Sequence, residues 1–188
     1  AERGIILLNK PRGVVCTASN PEGRRTVLDF VGPKHHGYFP VGRLDVDSGG
    51  LIVLTNDGEL AERLLHPRYE MTRVYISTVE GIVDRHLLQR ISQGIRLEDG
   101  MARAQCRIIK LDGENTVLEI VIKLGRNRIV RRLMEQIGHP VKSLRRVAHG
   151  PFNIGNLKSG EVRRLGENEY KAVRKRVLAG VKGEKRLA

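Results

Sequence analysis

"ARAQCRIIKLDGENTVLEIVIKLG", residues 102–125, reads as two strands folded back on each other around Asp112-Gly113. An Asp-Gly step between two alternating apolar runs is the strongest short-range signal for a β-hairpin. In the second run Leu118, Ile120, Ile122 and Leu124 fall on one face, because side chains alternate along a strand. A hairpin here makes an antiparallel sheet the framework against which the flanking stretches are read.

Upstream, "TRVYISTVEG" (72–81) is a strand with Val74 and Ile76 on one face and Arg73, Tyr75 and Ser77 on the other. "VDRHLLQRISQG" (83–94) is a helix closed by Gly94. Downstream, "RNRIVRRLMEQIGHP" (126–140) is a helix stopped by Gly138 and Pro140. Its Ile129, Val130, Leu133, Met134 and Ile137 share one arc, and Arg131, Arg132, Glu135 and Gln136 the other. Strands are expected near Val141–Val147 and Asn153–Leu157, and a last helix over 167–180 with a frayed basic end after Gly180.

Toward the N-terminus, "GIILLNKPRGVVCT" (4–17) gives a strand, a turn at Lys10-Pro11-Arg12-Gly13 and a second strand. "SNPEGRRTVLDFVG" (19–32) is a polar loop and a short helix with Thr26 as N-cap. "GLIVLTND" (50–57) is a buried strand. Asn56, with Glu59 in the capping-box position, starts a helix that Pro67 ends. Strands joined by hairpins, with helices between groups, predict an α+β fold: a mixed, largely antiparallel sheet with flanking helices. No repeat period is present. The expected organisation is one domain over 1–170 and a basic C-terminal helix or tail over 171–188.

Composition narrows the function. Of 188 residues, 34 are Lys or Arg and 21 Asp or Glu, a net charge of +13. That favours a polyanionic partner, nucleic acid before a membrane surface. Aromatic residues make up only 4% and Trp is absent, so a sheet that stacks many bases is disfavoured and phosphate contacts should dominate. The basic residues crowd into 123–146, where Glu135 is the one acid. No apolar run approaches the roughly 20 residues of a membrane span. "GIILLNK" is too short for a signal h-region. The expectation is a soluble, cytoplasmic protein, with Cys16 and Cys106 as core thiols.

"VGRLDVDSGGLIVL" (41–54) sets Arg43 and Asp45 in a short loop immediately before the buried strand. One reading is a surface turn with local ion pairs. The other is a catalytic carboxylate held at a strand edge inside a basic cleft. Asp45-x-Asp47 resembles the start of a calcium loop but lacks an oxygen ligand at Gly49 and a Glu at Asn56. His35, His36 and His66 lack metal-ligand spacing, and neither Ser48 nor Ser143 has a base nearby in sequence. No metal is expected.

Five blocks then occur in order: "NKPRGVVCT" (9–17), "FPVGRLDVDSGGLIVLTNDGELAERLLHP" (39–67), "HPRYEMTRVYISTVEG" (66–81), "GIRLEDG" (94–100) and "GRNRIVRRLMEQIGHPVKSLRR" (125–146). Together they resemble the ribosomal RsuA/RluB/RluE/RluF group of RNA pseudouridine synthases over roughly residues 4–166. The resemblance implies that Asp45, in Gly-Arg-Leu-Asp, is the catalytic residue. Tyr75 becomes the residue that stacks on uracil or moves a proton, and Arg131, in the "RNRxVRR" block, the charge partner of the aspartate. Arg43 and Lys10 fall on the substrate side, and Arg126, Arg128 and Arg132 read as phosphate contacts. Ile129 departs from the polar residue often found at its position.

The implied reaction is redox-neutral and needs no cofactor. The implied partner is a structured ribosomal RNA stem-loop with its target base flipped out, and "HPRYEMTRVY" favours large-subunit RNA. A monomer is expected and DNA is not, since a helix-turn-helix signature is missing. The rival reading is a non-catalytic ribosomal-RNA-binding or assembly factor on the same fold. Members of the group usually carry a small N-terminal S4-type RNA-binding domain, and this sequence starts almost at the catalytic core.

Overall fold

The computed structural model describes residues 2–17, 22–123 and 125–180. In chain order the elements are β1 (Ile5–Lys10), β2 (Phe39–Pro40), β3 (Gly49–Thr55), α1 (Gly58–Leu65), β4 (Arg73–Glu80), α2 (Arg85–Gln93), β5 (Ile95–Leu97), β6 (Gly100–Ala102), β7 (Gln105–Asp112) and β8 (Asn115–Ile122). Then follow α3 (Ile129–Gln136), β9 (Val141–His149), β10 (Phe152–Asn153), β11 (Val162–Arg164) and α4 (Glu167–Leu178). Short 3-10 turns occupy Val27–Phe30, Pro33–His35 and Pro67–Tyr69.

The main sheet runs β11-β1-β3-β9-β4-β8-β7, with β2 on β3 and β10 on β9. The expected hairpin is β7–β8, closed by Gly113-Glu114 with Asp112 opposite Asn115. Neighbours are antiparallel except β3 and β9, which run parallel over Gly49–Arg145 and Gly50–Arg146. The fold is thus α+β with a mixed, largely antiparallel sheet, as the hairpins predict. Gly50 is required at the parallel contact. Its φ is +111°, and a Cβ there would meet the Arg146 carbonyl oxygen at 2.2 Å.

Each sheet face has its own core. One packs Leu118, Ile120 and Ile122 of β8 with Ile129, Val130, Leu133 and Met134 of α3 and Ile91 of α2. The other packs β1 and β3, through Ile5, Leu7, Leu51 and Val53, against α1 and α4. Helix α4 runs continuously through position 171 and buries Tyr170, Val173 and Val177. It is joined to α1 by Asp57, whose buried carboxylate accepts from Tyr170 Oη at 2.5 Å and Arg174 Nε at 2.8 Å. Among the described residues no helix is long and apolar enough to cross a membrane.

Several local expectations are corrected. Among the described residues no strand follows the Lys10–Gly13 turn; Val15 alone bridges, to Thr26. Asp57 caps α1, accepting from Leu60 N–H at 3.2 Å, while Asn56 turns away and accepts from Gly4 N–H. Both residues suit an N-cap, and Asn56 is drawn off by this long-range bond. The strand expected at Asn153–Leu157 is the two-residue β10. The three-residue strands of the small β5–β6 hairpin and the exposed three-residue edge strand β11 are too short for alternation to register, so the pattern missed them. Thr26 does precede a short helical turn, its N–H bonded to Asp29 at 2.8 Å. Leu124 and the basic end after Gly180 lie outside the described residues.

Candidate active site

The loop between β2 and β3 is fixed from below. Leu44 is buried, and its N–H donates to Cys16 Sγ at 3.3 Å. Ser48 N–H closes the turn onto Asp45 O at 3.0 Å, and Gly13 N–H donates to Val46 O at 2.7 Å. With Leu44 anchored inward, Arg43 stays exposed and the Asp45 carboxylate lies half-buried on the wall of a cleft of about 360 Å³. Asp45 is the one carboxylate among the residues lining that cleft, against Arg43, Arg73, Arg126, Arg128 and Arg146. The cleft is therefore strongly positive, with a single acid at its wall.

Tyr75, on β4, lines the same cleft and is 8% exposed. Its hydroxyl makes no hydrogen bond with the described residues, so ring and hydroxyl are both available to a ligand. A bulge in the β4–β9 pairing falls between Val74 and Tyr75, which re-aims the side chain.

The floor is a group of buried bases without an acid. Arg73 donates to Met71 O and Lys123 O, both at 3.0 Å. Arg146 Nε donates to Leu51 O at 3.0 Å, and its Nη2 is buried without a partner. His149 is fully buried and bonds Leu64 O through Nε2 at 3.1 Å, leaving Nδ1 as a bare acceptor. Burial, reinforced by the charges of Arg146 and Arg73, holds the His149 pKa well below its ordinary range, so the ring is neutral. Sequence reasoning missed these three. The alternation that sets Arg73 beside Tyr75 was a usable signal for the first. The other two come into place only through the β9 register.

The start of α3 supplies the remaining charges. Arg128 adopts a left-handed backbone, φ +49°, an uncommon conformation for a non-glycine that clusters at functional sites. Its Nη1 lies 3.2 Å from Asp45 Oδ2 and 3.3 Å from Asp47 Oδ1. Arg131 turns inward, its side chain 14% exposed, and meets Asp47 Oδ2 at 3.5 Å, Asp47 O at 3.2 Å and Ser48 Oγ at 3.0 Å. Burial resists ionisation of Asp47, but the Arg128 hydrogen bond and the charges of Arg131 and Arg128 outweigh it and lower its pKa. The arginine in direct contact with Asp45 is thus Arg128, while Arg131 grips the loop two residues on.

The other expected RNA contacts separate. Arg43 is exposed and has no hydrogen bond or ion pair with the described residues. Arg126 is bound to Asp99 O at 2.9 Å and Met101 O at 2.8 Å. Arg132 holds the Asp99 carboxylate with two bonds, 2.7 and 3.1 Å. Lys10 is a correction. It is 1% exposed and its Nζ donates to Pro11 O at 2.9 Å and Val14 O at 2.7 Å. Its ammonium ties the turn together under the loop. Among the described residues no group of three His, Cys, Asp or Glu could hold a metal ion.

The chain as a whole resembles known proteins. The RNA pseudouridylate synthase family profile matches residues 4–136. An RNA pseudouridine synthase of Aquifex aeolicus is 45% identical over 174 residues, covering 89% of this chain and 70% of the relative. The ribosomal large subunit pseudouridine synthase B of Bacillus subtilis is 42% identical over 172 residues, covering 90% and 70%. A crystal structure of a pseudouridylate synthase superposes with a TM-score of 0.79 at 29% identity, over 90% of this chain and 73% of the other.

Proposed function

The chain belongs to the RNA pseudouridylate synthase family, and from that premise we propose that it converts a uridine of large-subunit ribosomal RNA to pseudouridine with Asp45 as the catalytic carboxylate. The observation that carries the residue assignment is that Asp45 is the one acid lining a cleft otherwise walled by arginines and Tyr75. The ribosomal substrate is supported by the relatives named for the large subunit in Bacillus subtilis and Pseudomonas aeruginosa.

The reaction breaks the N1–C1′ bond of uridine, turns the base, joins C5 to C1′, and moves the C5 proton to solvent while N1 gains one. A carboxylate at Asp45 either attacks C1′ or assists departure of the base through a glycal. Both roles place the carboxylate at C1′, and the Arg128 guanidinium stands 3.2 Å from its Oδ2. The base must leave its stack to reach the cleft, at a cost of about a few kcal/mol. Arg43, exposed and unpaired, takes the backbone phosphate of the flipped nucleotide or fills its place in the stem. Tyr75 stacks on the uracil, and its free hydroxyl is set to assist removal of the C5 proton. Arg131 acts on the loop through Asp47 and Ser48. Arg126 and Arg132, which share the single Asp99 carboxylate, reach phosphate only by giving up that partner.

The test is tritium release from unmodified ribosomal RNA labelled at uridine C5. The wild-type protein should release tritium, and Asp45→Asn should release none while still binding the RNA. Release by Asp45→Asn at the wild-type rate overturns the assignment.

A further inference from the structure

A second depression of about 560 Å³ lies beside the cleft and shares Leu144 with it. Arg12, Arg145 and Lys158 line it, from the turn after β1, from β9 and from the segment before β11, with the buried Lys10 beside them. No acid lines it; between the cations stand the polar side chains of Asn9, Thr78, Ser143 and Ser159. Arg12, Arg145 and Lys158 are exposed, and none makes a side-chain hydrogen bond or ion pair with the described residues. By contrast, Arg107, Arg126, Arg128, Arg132, Arg163 and Arg174 are all paired with acids. Three exposed cations without an acid partner among the described residues are thus gathered in one groove that no acid lines.

The groove is continuous with the proposed catalytic loop. Gly49 and Gly50 form part of its wall and directly follow Ser48, which Arg131 holds. The charge of Arg12 is felt at Arg131. A compact anion needs donors that converge on a point. Cations spread along an open groove, with hydroxyls between them, suit instead a chain of regularly spaced charges carrying its own hydroxyl groups.

We propose that this groove binds the phosphate–ribose backbone of the same RNA strand whose uridine enters the cleft, at nucleotides flanking the target. The inference rests on the RNA-modifying reading above and adds a second contact zone to it. The groove fixes the strand's path past Gly49, while the cleft takes the flipped base. The position of the target uridine relative to the strand is then set by two contacts rather than one.

The experiment compares the wild-type protein with the triple variant Arg12→Ala/Arg145→Ala/Lys158→Ala and with a charge-matched control, Arg85→Ala/Arg90→Ala/Lys175→Ala, on α2 and α4. The probe is unmodified large-subunit ribosomal RNA transcribed in vitro, its affinity measured across a salt series. Each lost phosphate contact lowers the salt slope by about one, so the groove variant should show a slope shallower by about three and an affinity at least about tenfold weaker at ~0.1 M salt. The control should follow the wild type. Thermal unfolding of both variants checks that the fold is intact. Coincident slopes for groove and control variants overturn the proposal. Wild-type tritium release reports separately on the reading beneath it, so the two failures are distinguishable.

Discussion

Arg128 and Asp45 form an ion pair across the cleft, with Nη1 3.2 Å from Oδ2. The same guanidinium also reaches both oxygens of Asp47, at 3.3 and 3.4 Å. The proposed catalytic carboxylate is thus capped by a residue that is itself 43% exposed. Arg131 differs. It is largely buried and contacts the loop through Asp47 and Ser48. The two arginines therefore divide the work expected of one.

That division predicts different kinetics. Arg128→Ala should raise KM by about tenfold, as a lost phosphate contact does, with a smaller effect on kcat. Arg131→Ala should lower kcat by about a hundredfold, because a loop displaced by an ångström misplaces Asp45. Arg131→Lys should not rescue it, since an ammonium cannot span Asp47 and Ser48 as a planar fork does. Single-turnover tritium release separates the two cases, and identical profiles for both arginines would contradict this division.

Tyr75 has a hydroxyl without a hydrogen bond to the described residues, so removing it costs the fold nothing beyond a contact. Tyr75→Phe should unfold within about 0.5 kcal/mol of the wild type, as substitutions away from structural features do. Its tritium release should fall by about 10²–10⁴, the usual worth of a proton-transfer group. Denaturant melts beside the release assay check both halves. Unchanged activity would leave only the ring's stacking role.

Lys10 should behave as a structural residue. Lys10→Met leaves a buried carbonyl at Val14 and a partly buried one at Pro11 without their donor and should cost about 1–3 kcal/mol. The salt dependence of RNA binding should stay as in the wild type, because the ammonium, although Lys10 lines the second groove, is buried and already bonded to the Pro11 and Val14 carbonyls. A shallower salt slope in this variant would return Lys10 to the RNA-binding surface.

Asp57 links α1 to α4 and gives the fold a pH dependence. Burial opposes its charge, but the bonds from Tyr170 and Arg174 prevail and hold its pKa below the ordinary carboxylate value. A carboxyl with a depressed folded pKa stabilises fully above its unfolded pKa, about 3.9, and loses that contribution as pH falls through the folded value. Asp57→Ala removes both a helix cap and a buried charge partner and should cost about 3–5 kcal/mol. The difference in stability between wild type and Asp57→Ala should shrink below about pH 4, as measured by urea melts over a pH series.

The hairpin at Asp112-Gly113, the helix arc of Ile129, Val130, Leu133 and Met134, and the shared face of Arg73 and Tyr75 were all legible in the sequence. They are consequences of local periodicity and turn chemistry, which act over a few residues. The likeness of five ordered blocks likewise pointed to the family before any contact was known. Which charge meets which was not legible. Asp45 and Asp47 lie two residues apart, and Arg128 and Arg131 lie within one helical turn, so sequence allows either pairing. The choice falls to where α3 docks on the β8 face and to the parallel contact of β3 with β9, which requires Gly50. The same long-range packing buries Lys10 in a turn that looked solvated, leaves Arg12, Arg145 and Lys158 unpaired in one groove, and draws Asn56 away from the cap that Asp57 takes. Local sequence determined the elements and the chemical types at the site. Tertiary structure decided the partners, because a long charged side chain pairs with whatever the docking of remote elements brings within its reach.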